Sequence, residues 1–148
     1  MTPCHLVDVH VLLIRQDRIL LSLRRSGDKY DHRWHLPSGK LEVGESAASG
    51  AAREAAEEVG VTIDPAVLRL IHVAHVTAPG HDARLGLFFR TEHWVGEPVN
   101  REPDKCYELR WFPLAALPTD LIEYSALGIA ALTTPTPYSE LGWPYLDR

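Results

Sequence analysis

Gly39-Lys40-Leu41-Glu42-Val43-Gly44-Glu45-Ser46-Ala47-Ala48-Ser49-Gly50-Ala51-Ala52-Arg53-Glu54-Ala55-Ala56-Glu57-Glu58-Val59-Gly60-Val61 is the stretch on which the fold turns. Ser46 is placed to cap a helix whose alanine-rich body (Ala47, Ala48, Ala51, Ala52, Ala55, Ala56) runs to Val59, and Gly60 is placed to end it. Val43-Gly44-Glu45 reads as the turn before it. On that helix Glu54, Glu57 and Glu58 are three and four residues apart, so their carboxylates crowd one face. No base follows them at i+4, and each like-charged pair costs about 0.2–0.5 kcal/mol on a solvated helix. A divalent cation reverses the sign of that cost. Hard oxygens grouped in this way suit Mg²⁺, which takes one or two carboxylates and completes its shell with water and phosphate. The alternative is an ordinary solvated acidic face. Gly39 to Asp64 holds six acids against Lys40 and Arg53, a local charge of −4, so nearly all of the net charge of −5 lies in this segment.

Outward from the helix, the pattern alternates between strands and turns. Leu6 to Ile14 reads as a buried strand and Arg18 to Arg24 as its hairpin partner, with Gln16-Asp17 as the turn. Trp34 to Pro37 reads as a short strand stopped by proline. Val67 to Val76 and Arg84 to Glu92 are strand-like runs joined by a Pro79-Gly80 turn, and Glu108 to Phe112 adds another. Asp120 to Leu132 reads as a second helix, and the Pro-rich tail from Thr133 as irregular. Strands around two well-separated helices predict an α+β fold, a mixed β-sheet sandwiched between helices in an α/β/α arrangement.

At 148 residues the chain is expected to form one domain, 1–148, without repeat or linker. With 45% hydrophobic and 24% charged residues it matches ordinary globular composition rather than a disordered or fibrous chain. Asp8, Arg15, Arg90 and Glu92 interrupt the apolar runs before any reaches spanning length. The first residues lack a basic start and an apolar core, so the expected location is cytoplasmic. Cys4 and Cys106 are far apart in sequence, which speaks for free thiols. His72 and His75, three apart on a strand, point to opposite faces, so no zinc site emerges. No basic footprint for a nucleic-acid polymer is present.

Gly39, five residues, Glu45, seven residues, then Arg53-Glu54-Ala55-Ala56-Glu57-Glu58-Val59-Gly60-Val61 resembles the signature of the Nudix hydrolases, with all seven single-identity positions matched. Chance gives such a match about once in a million chains of this length. Ala55 stands where relatives carry a bulkier aliphatic, and Ser38 where glycine is usual. Asn100 to Cys106 and Glu108-Leu109-Arg110-Trp111-Phe112 look similar to the MutT-like nucleoside triphosphate pyrophosphohydrolase subgroup, which extends the resemblance over residues 6 to 118.

The resemblance implies a Mg²⁺-dependent hydrolase, Mn²⁺ being a substitute, that cleaves the diphosphate linkage of a nucleoside diphosphate derivative. A nucleoside triphosphate, oxidised or normal, giving monophosphate and pyrophosphate is the leading substrate. Another diphosphate, such as a nucleotide sugar or prenyl diphosphate, and a non-catalytic nucleotide-binding module are the alternatives. Glu57 and Glu58 are implied metal ligands, with Glu54 a ligand or the base that activates water. The Ser38 carbonyl and Glu108 are further candidates for the metal, Glu108 otherwise facing water from an edge strand. Arg53 is implied to orient the glutamates, paired with Glu45 or Glu42, while Gly39 and Gly60 shape the motif. Arg24 and Arg25 are candidates for substrate phosphate, or else hairpin surface charges. Asp120 either reads a purine base or caps the second helix. Trp34, Trp94, Trp111 and Trp143 are base-stacking candidates or core residues. The family also makes a homodimer conceivable.

Overall fold

The computed structural model describes residues 1–144, and the far end of the expected domain at residue 148 lies outside them. The organising strand is β1 (Leu6–Arg15), buried from Asp8 to Ile14. Its side chains alternate across the sheet, so Val9, Val11 and Leu13 enter one core layer while Leu12 and Ile14 enter the other. Gln16 and Asp17 both adopt left-handed backbone, φ 49° and 61°, the conformation that matches a two-residue turn to strand twist. The chain thus returns as β2 (Arg18–Arg24), followed by the short β3 (Trp34–His35) and β4 (Ser38–Lys40).

Helix α1 (Ala47–Val59) follows, and after a 3-10 turn at Pro65–Val67 come β5 (Arg69–Val76), β6 (Arg84–Thr91) and β7 (Cys106–Pro113). Helix α2 (Glu123–Ala130) and β8 (Tyr138–Leu141) complete the order. The sheet runs β3-β2-β1-β6-β5-β8, with β4 also on β1 and β7 also on β2. β1 with β6 and β5 with β8 are parallel, and the remaining pairs are antiparallel. Ala51, Ala55 and Val59 of α1 pack with Val9, Val11 and Leu13, whereas Ile129 of α2 packs with Leu12, Ala74 and Phe88. The mixed sheet is therefore covered by one helix on each face, an α/β/α arrangement of the α+β class. None of the helices among the described residues is long and apolar enough to cross a membrane.

Three of the departures from the sequence expectation have a direct physical cause. The second helix starts at Glu123 rather than Asp120, because β3 claims the residues before it: Trp34 donates its N–H to the Asp120 carbonyl (3.1 Å) and accepts from Ile122 (2.8 Å). Ile122 occupies the N-cap position with no side-chain cap, so Asp120 is not the cap. Tyr124 and Ser125 anchor α2 instead, through Tyr124 Oη donating to Asp8 (2.9 Å) and Ser125 Oγ accepting from the Leu36 N–H (3.0 Å). The tail is not wholly irregular either, since residues 138–141 add to the open edge of β5, where Val73 donates to the Pro137 carbonyl (2.9 Å). Finally, residues 65–67 form a 3-10 turn with Asp64 accepting from the Ala66 N–H, which delays β5 to Arg69.

Candidate functional site

The acidic face of α1 is held by its ends and by one arginine. Ser46 Oγ accepts from the Ser49 N–H, and Gly60, at φ 73°, takes the left-handed conformation that closes the helix onto the Ala56 carbonyl. Ala55 is fully buried, and its short side chain packs in the same core layer as Val9, Val11 and Leu13 of β1. The opposite face carries Arg53, whose guanidinium grips Glu45 in a fork, Nε to Oε2 at 2.9 Å and Nη2 to Oε1 at 2.7 Å. Nη1 reaches Glu54 at 3.0 Å and Glu57 at 3.2 Å, and Nη2 also donates to the Lys40 carbonyl at 3.2 Å. Of the two expected partners Glu45 is the direct one, with Glu42 farther away at 3.6 Å. No base follows the glutamates at i+4, but Arg53 precedes Glu57 by four residues and meets it. The fork with Arg53 holds the Glu45 carboxyl down to about pKa 2, those hydrogen bonds being the main cause.

Glu54 and Glu58 lie deeper. Burial raises the Glu54 pKa against the opposing pull of Arg53. Burial, reinforced by Glu54, raises that of Glu58 well above the ordinary carboxylate value, although the Ser38 N–H donates to its Oε2 at 2.8 Å. A Cβ at Gly39 would overlap the Glu54 carboxylate, so only glycine admits that side chain beneath β4. Desolvated carboxylates that repel one another offer hard oxygens whose repulsion a divalent cation would offset, although no three such side chains among the described residues are already grouped as ligands.

These groups form one wall of a cavity of about 620 Å³ that also includes Ser38, Gly39, Glu42 and Glu57. The lining also holds the basic side chains Arg24, Arg25 and Lys105, together with His35, Ser22 and Cys106. Arg24 is steadied by Ser26 (3.1 Å) and Asp28 (3.3 Å), and Arg25 by the Pro103 carbonyl (3.3 Å). Burial, with Arg24 nearby, lowers the His35 pKa to about 4, so this ring is neutral at physiological pH. Acidic and basic side chains lining one cavity fit a polyanion bridged by a cation.

Glu45 and Gly60 stand behind this cavity as supports rather than in its lining. Glu108 does not line it, its carboxylate being turned to Arg110 at 2.7 Å, and exposed Asp120 also lies outside. The acid that does line it is Glu102, close to Lys105 (3.6 Å) in the turn before β7. Sequence reading missed both. Glu102-Pro103-Asp104-Lys105 has turn composition, but no periodicity shows which way its side chains face. The tryptophans also lie outside the lining. Trp34 is buried against Phe112, Trp94 and Trp111 stack with Arg15 beside both rings, and Trp143 packs on His75.

Comparison with known proteins agrees with this geometry. The MutT-like protein of Streptomyces ambofaciens is 39% identical over 62 residues, which are 42% of this chain and 38% of that protein. The chain thus spans well under half the length of that relative. The 8-oxo-dGTP diphosphatase of Escherichia coli K12 is 27% identical over 114 residues, 77% of this chain and 84% of that enzyme. The crystal structure of the MutT NUDIX hydrolase from Burkholderia pseudomallei superposes with a TM-score of 0.79 at 26% identity, covering 86% of this chain and 98% of that one. Residues 5–131 match the NUDIX domain, and the chain belongs to that family.

Proposed function

We propose that this protein is a divalent-cation-dependent pyrophosphohydrolase that converts a nucleoside triphosphate and water to the monophosphate and pyrophosphate. Residues 1–148 are read as a single Nudix domain, and the substrate as a small molecule rather than a nucleic-acid polymer. The observation that carries this reading is one cavity lined both by Glu54, Glu57, Glu58 and Glu102 and by Arg24, Arg25 and Lys105. That the E. coli relative is an 8-oxo-dGTP diphosphatase favours a purine triphosphate, oxidised or normal.

Glu54, Glu57, Glu58 and Glu102, with the Ser38 carbonyl, would hold Mg²⁺ or, in its place, Mn²⁺. Such an ion offsets charge on the phosphate oxygens and acidifies water. The protein's own part is orientation and proton transfer. Arg53 fixes Glu54 and Glu57 and is itself anchored by Glu45. The Ser38 N–H fixes Glu58. Arg24, Arg25 and Lys105 bind the phosphate chain and stabilise charge developing on the departing phosphate. Water attacks phosphorus, the bond to the bridging oxygen breaks, and a carboxylate of the Glu54, Glu57 and Glu58 trio accepts the water proton.

Purified protein incubated with nucleoside triphosphates, nucleotide sugars, prenyl diphosphates and 8-oxo-dGTP, with and without Mg²⁺, tests this. Monophosphate and pyrophosphate should form from the triphosphates only with the cation. Full turnover after exhaustive chelation refutes the metal role, turnover confined to another diphosphate refutes the substrate, and binding without turnover refutes the enzyme.

A further inference from the structure

His5 sits just before β1 and His75 lies in β5, with β6 running between those strands: Leu6 is paired with Arg84, and His75 with Leu85. Their rings meet across it, Nε2 to Nε2 at 3.1 Å, with centroids 5.1 Å apart and planes inclined by 28°. Both residues are half-buried, so the edge they form is reached from solvent. Trp143 braces the pair, its indole N–H donating to the His75 carbonyl at 2.8 Å and its ring centroid 4.4 Å from the His75 ring. Neither histidine lines the carboxylate cavity.

Two imidazole nitrogens facing each other at this distance either share one proton or direct both lone pairs at a cation. We propose that His5 and His75 chelate a divalent transition-metal ion of the zinc class through Nε2, at a site separate from the carboxylate cavity. With Zn–N bonds of about 2.05 Å, nitrogens 3.1 Å apart subtend about 98° at the metal. Opening to the tetrahedral angle moves the nitrogens apart by only about 0.25 Å, within the reach of small χ rotations. Imidazole selects zinc, copper and nickel over magnesium, so the two sites divide metals by chemistry as well as by place. Among the described residues two side chains supply ligands, which leaves positions for water and makes this an exchangeable site rather than a closed structural one. An ion there ties the entry of β1 to β5, and through Trp143 to the segment after β8, so it stabilises the folded state by mass action.

Cu²⁺, which binds nitrogen sites more tightly than Zn²⁺, is the fluorescence probe. The full chain, carrying Cys4→Ser to remove the exposed thiol, is titrated with Cu²⁺ in excess Mg²⁺. Trp143 emission should be quenched, and a large excess of Zn²⁺ should reverse the quenching. Zinc should also move the Nε2 resonances of both His5 and His75 in ¹⁵N-histidine spectra. His5→Ala and His75→Ala should each weaken zinc binding about tenfold or more, since losing a direct ligand costs at least what losing an outer-shell partner does. Trp143→Phe should remove the quenching while leaving zinc affinity unchanged. All three variants should keep wild-type Mg²⁺-dependent turnover. The proposal is overturned if quenching survives both histidine substitutions, or if zinc moves neither Nε2 resonance, or if tight zinc binding requires only the cavity glutamates.

Discussion

Arg53→Ala should be the most damaging single change on α1, and Arg53→Lys should be intermediate. The guanidinium makes two bonds to Glu45, reaches Glu54 and Glu57, and donates to the Lys40 carbonyl. Side-chain exposures of 22% for Arg53 and 16% for Glu45 put this fork largely out of solvent, where breaking a pair strands the remaining charge. Hydrogen bonds to charged groups contribute about 1.5–3 kcal/mol each before the stranded acids are counted, so truncation should cost about 3–5 kcal/mol. For a chain of this size that lowers Tm by about 6–20 °C. Lysine keeps the charge but not the fork, and should recover about half. Thermal unfolding of the metal-free proteins measures this, and a double-mutant cycle with Glu45→Gln should show that the two losses are not additive. Additive effects of Arg53→Ala and Glu45→Gln, or an alanine variant within about 1 kcal/mol of wild type, would refute the view that one arginine organises the acidic wall.

Other consequences concern the glutamates and Gly39. Glu58→Gln keeps an acceptor for the Ser38 N–H but removes a buried charge, and the lost transition-state stabilisation of several kcal/mol should lower kcat by about two to three decades in steady-state assays. Because the folded-state pKa of Glu58 is raised, metal-free wild type should lose stability as pH rises above the ordinary carboxylate value, until Glu58 itself ionises in the folded protein. Denaturant titrations across that range should show a shallower loss in Glu58→Gln, and identical pH profiles would contradict the assignment. Glu102→Gln should weaken Mg²⁺-dependent turnover by about tenfold or more while Glu108→Gln leaves it near wild type, so kinetics with the roles reversed would relocate that wall of the site. Gly39→Ala should displace the Glu54 carboxylate and reduce kcat more than Tm, and unchanged kcat would show that Glu54 need not lie under β4.

The parts of the fold legible in the sequence are those specified by neighbours along the chain. Helix α1 carries its own N-cap, C-cap and apolar face, so Ser46 and Gly60 give its ends within a residue. The first hairpin is equally local, its turn falling on Gln16-Asp17 as read. Helix α2 shows the opposite case. Asp120 before an apolar run is a good local cap, yet Trp34 lies far back in sequence and its backbone bonds on both sides of Leu121 hold that segment extended. Strand β8 is likewise decided by the open edge of β5, and no propensity in Tyr138 to Leu141 announces the partner.

The same distinction divides the candidate site. Glu54, Glu57 and Glu58 share a wall because helical spacing puts them there, so their grouping could be read directly. Glu108 fails through register. β7 opposes β2 with Leu109 beside Ser22 and Glu108 beside Leu23, but Arg24 then faces Cys106, which leaves Tyr107 as an extra residue in the ladder. Alternation from Leu109 already turns Glu108 away to Arg110, and the inserted residue brings Cys106 rather than Tyr107 to the cavity face beside Leu109. The bulge also sets where β7 begins. The turn before it carries Glu102 and Lys105, and the Arg25 N–H, donating to the Lys105 carbonyl at 2.9 Å, pins that turn to the end of β2. The acid on this side of the cavity is thus supplied by a loop rather than by a strand, and counting along the strand could not have found it.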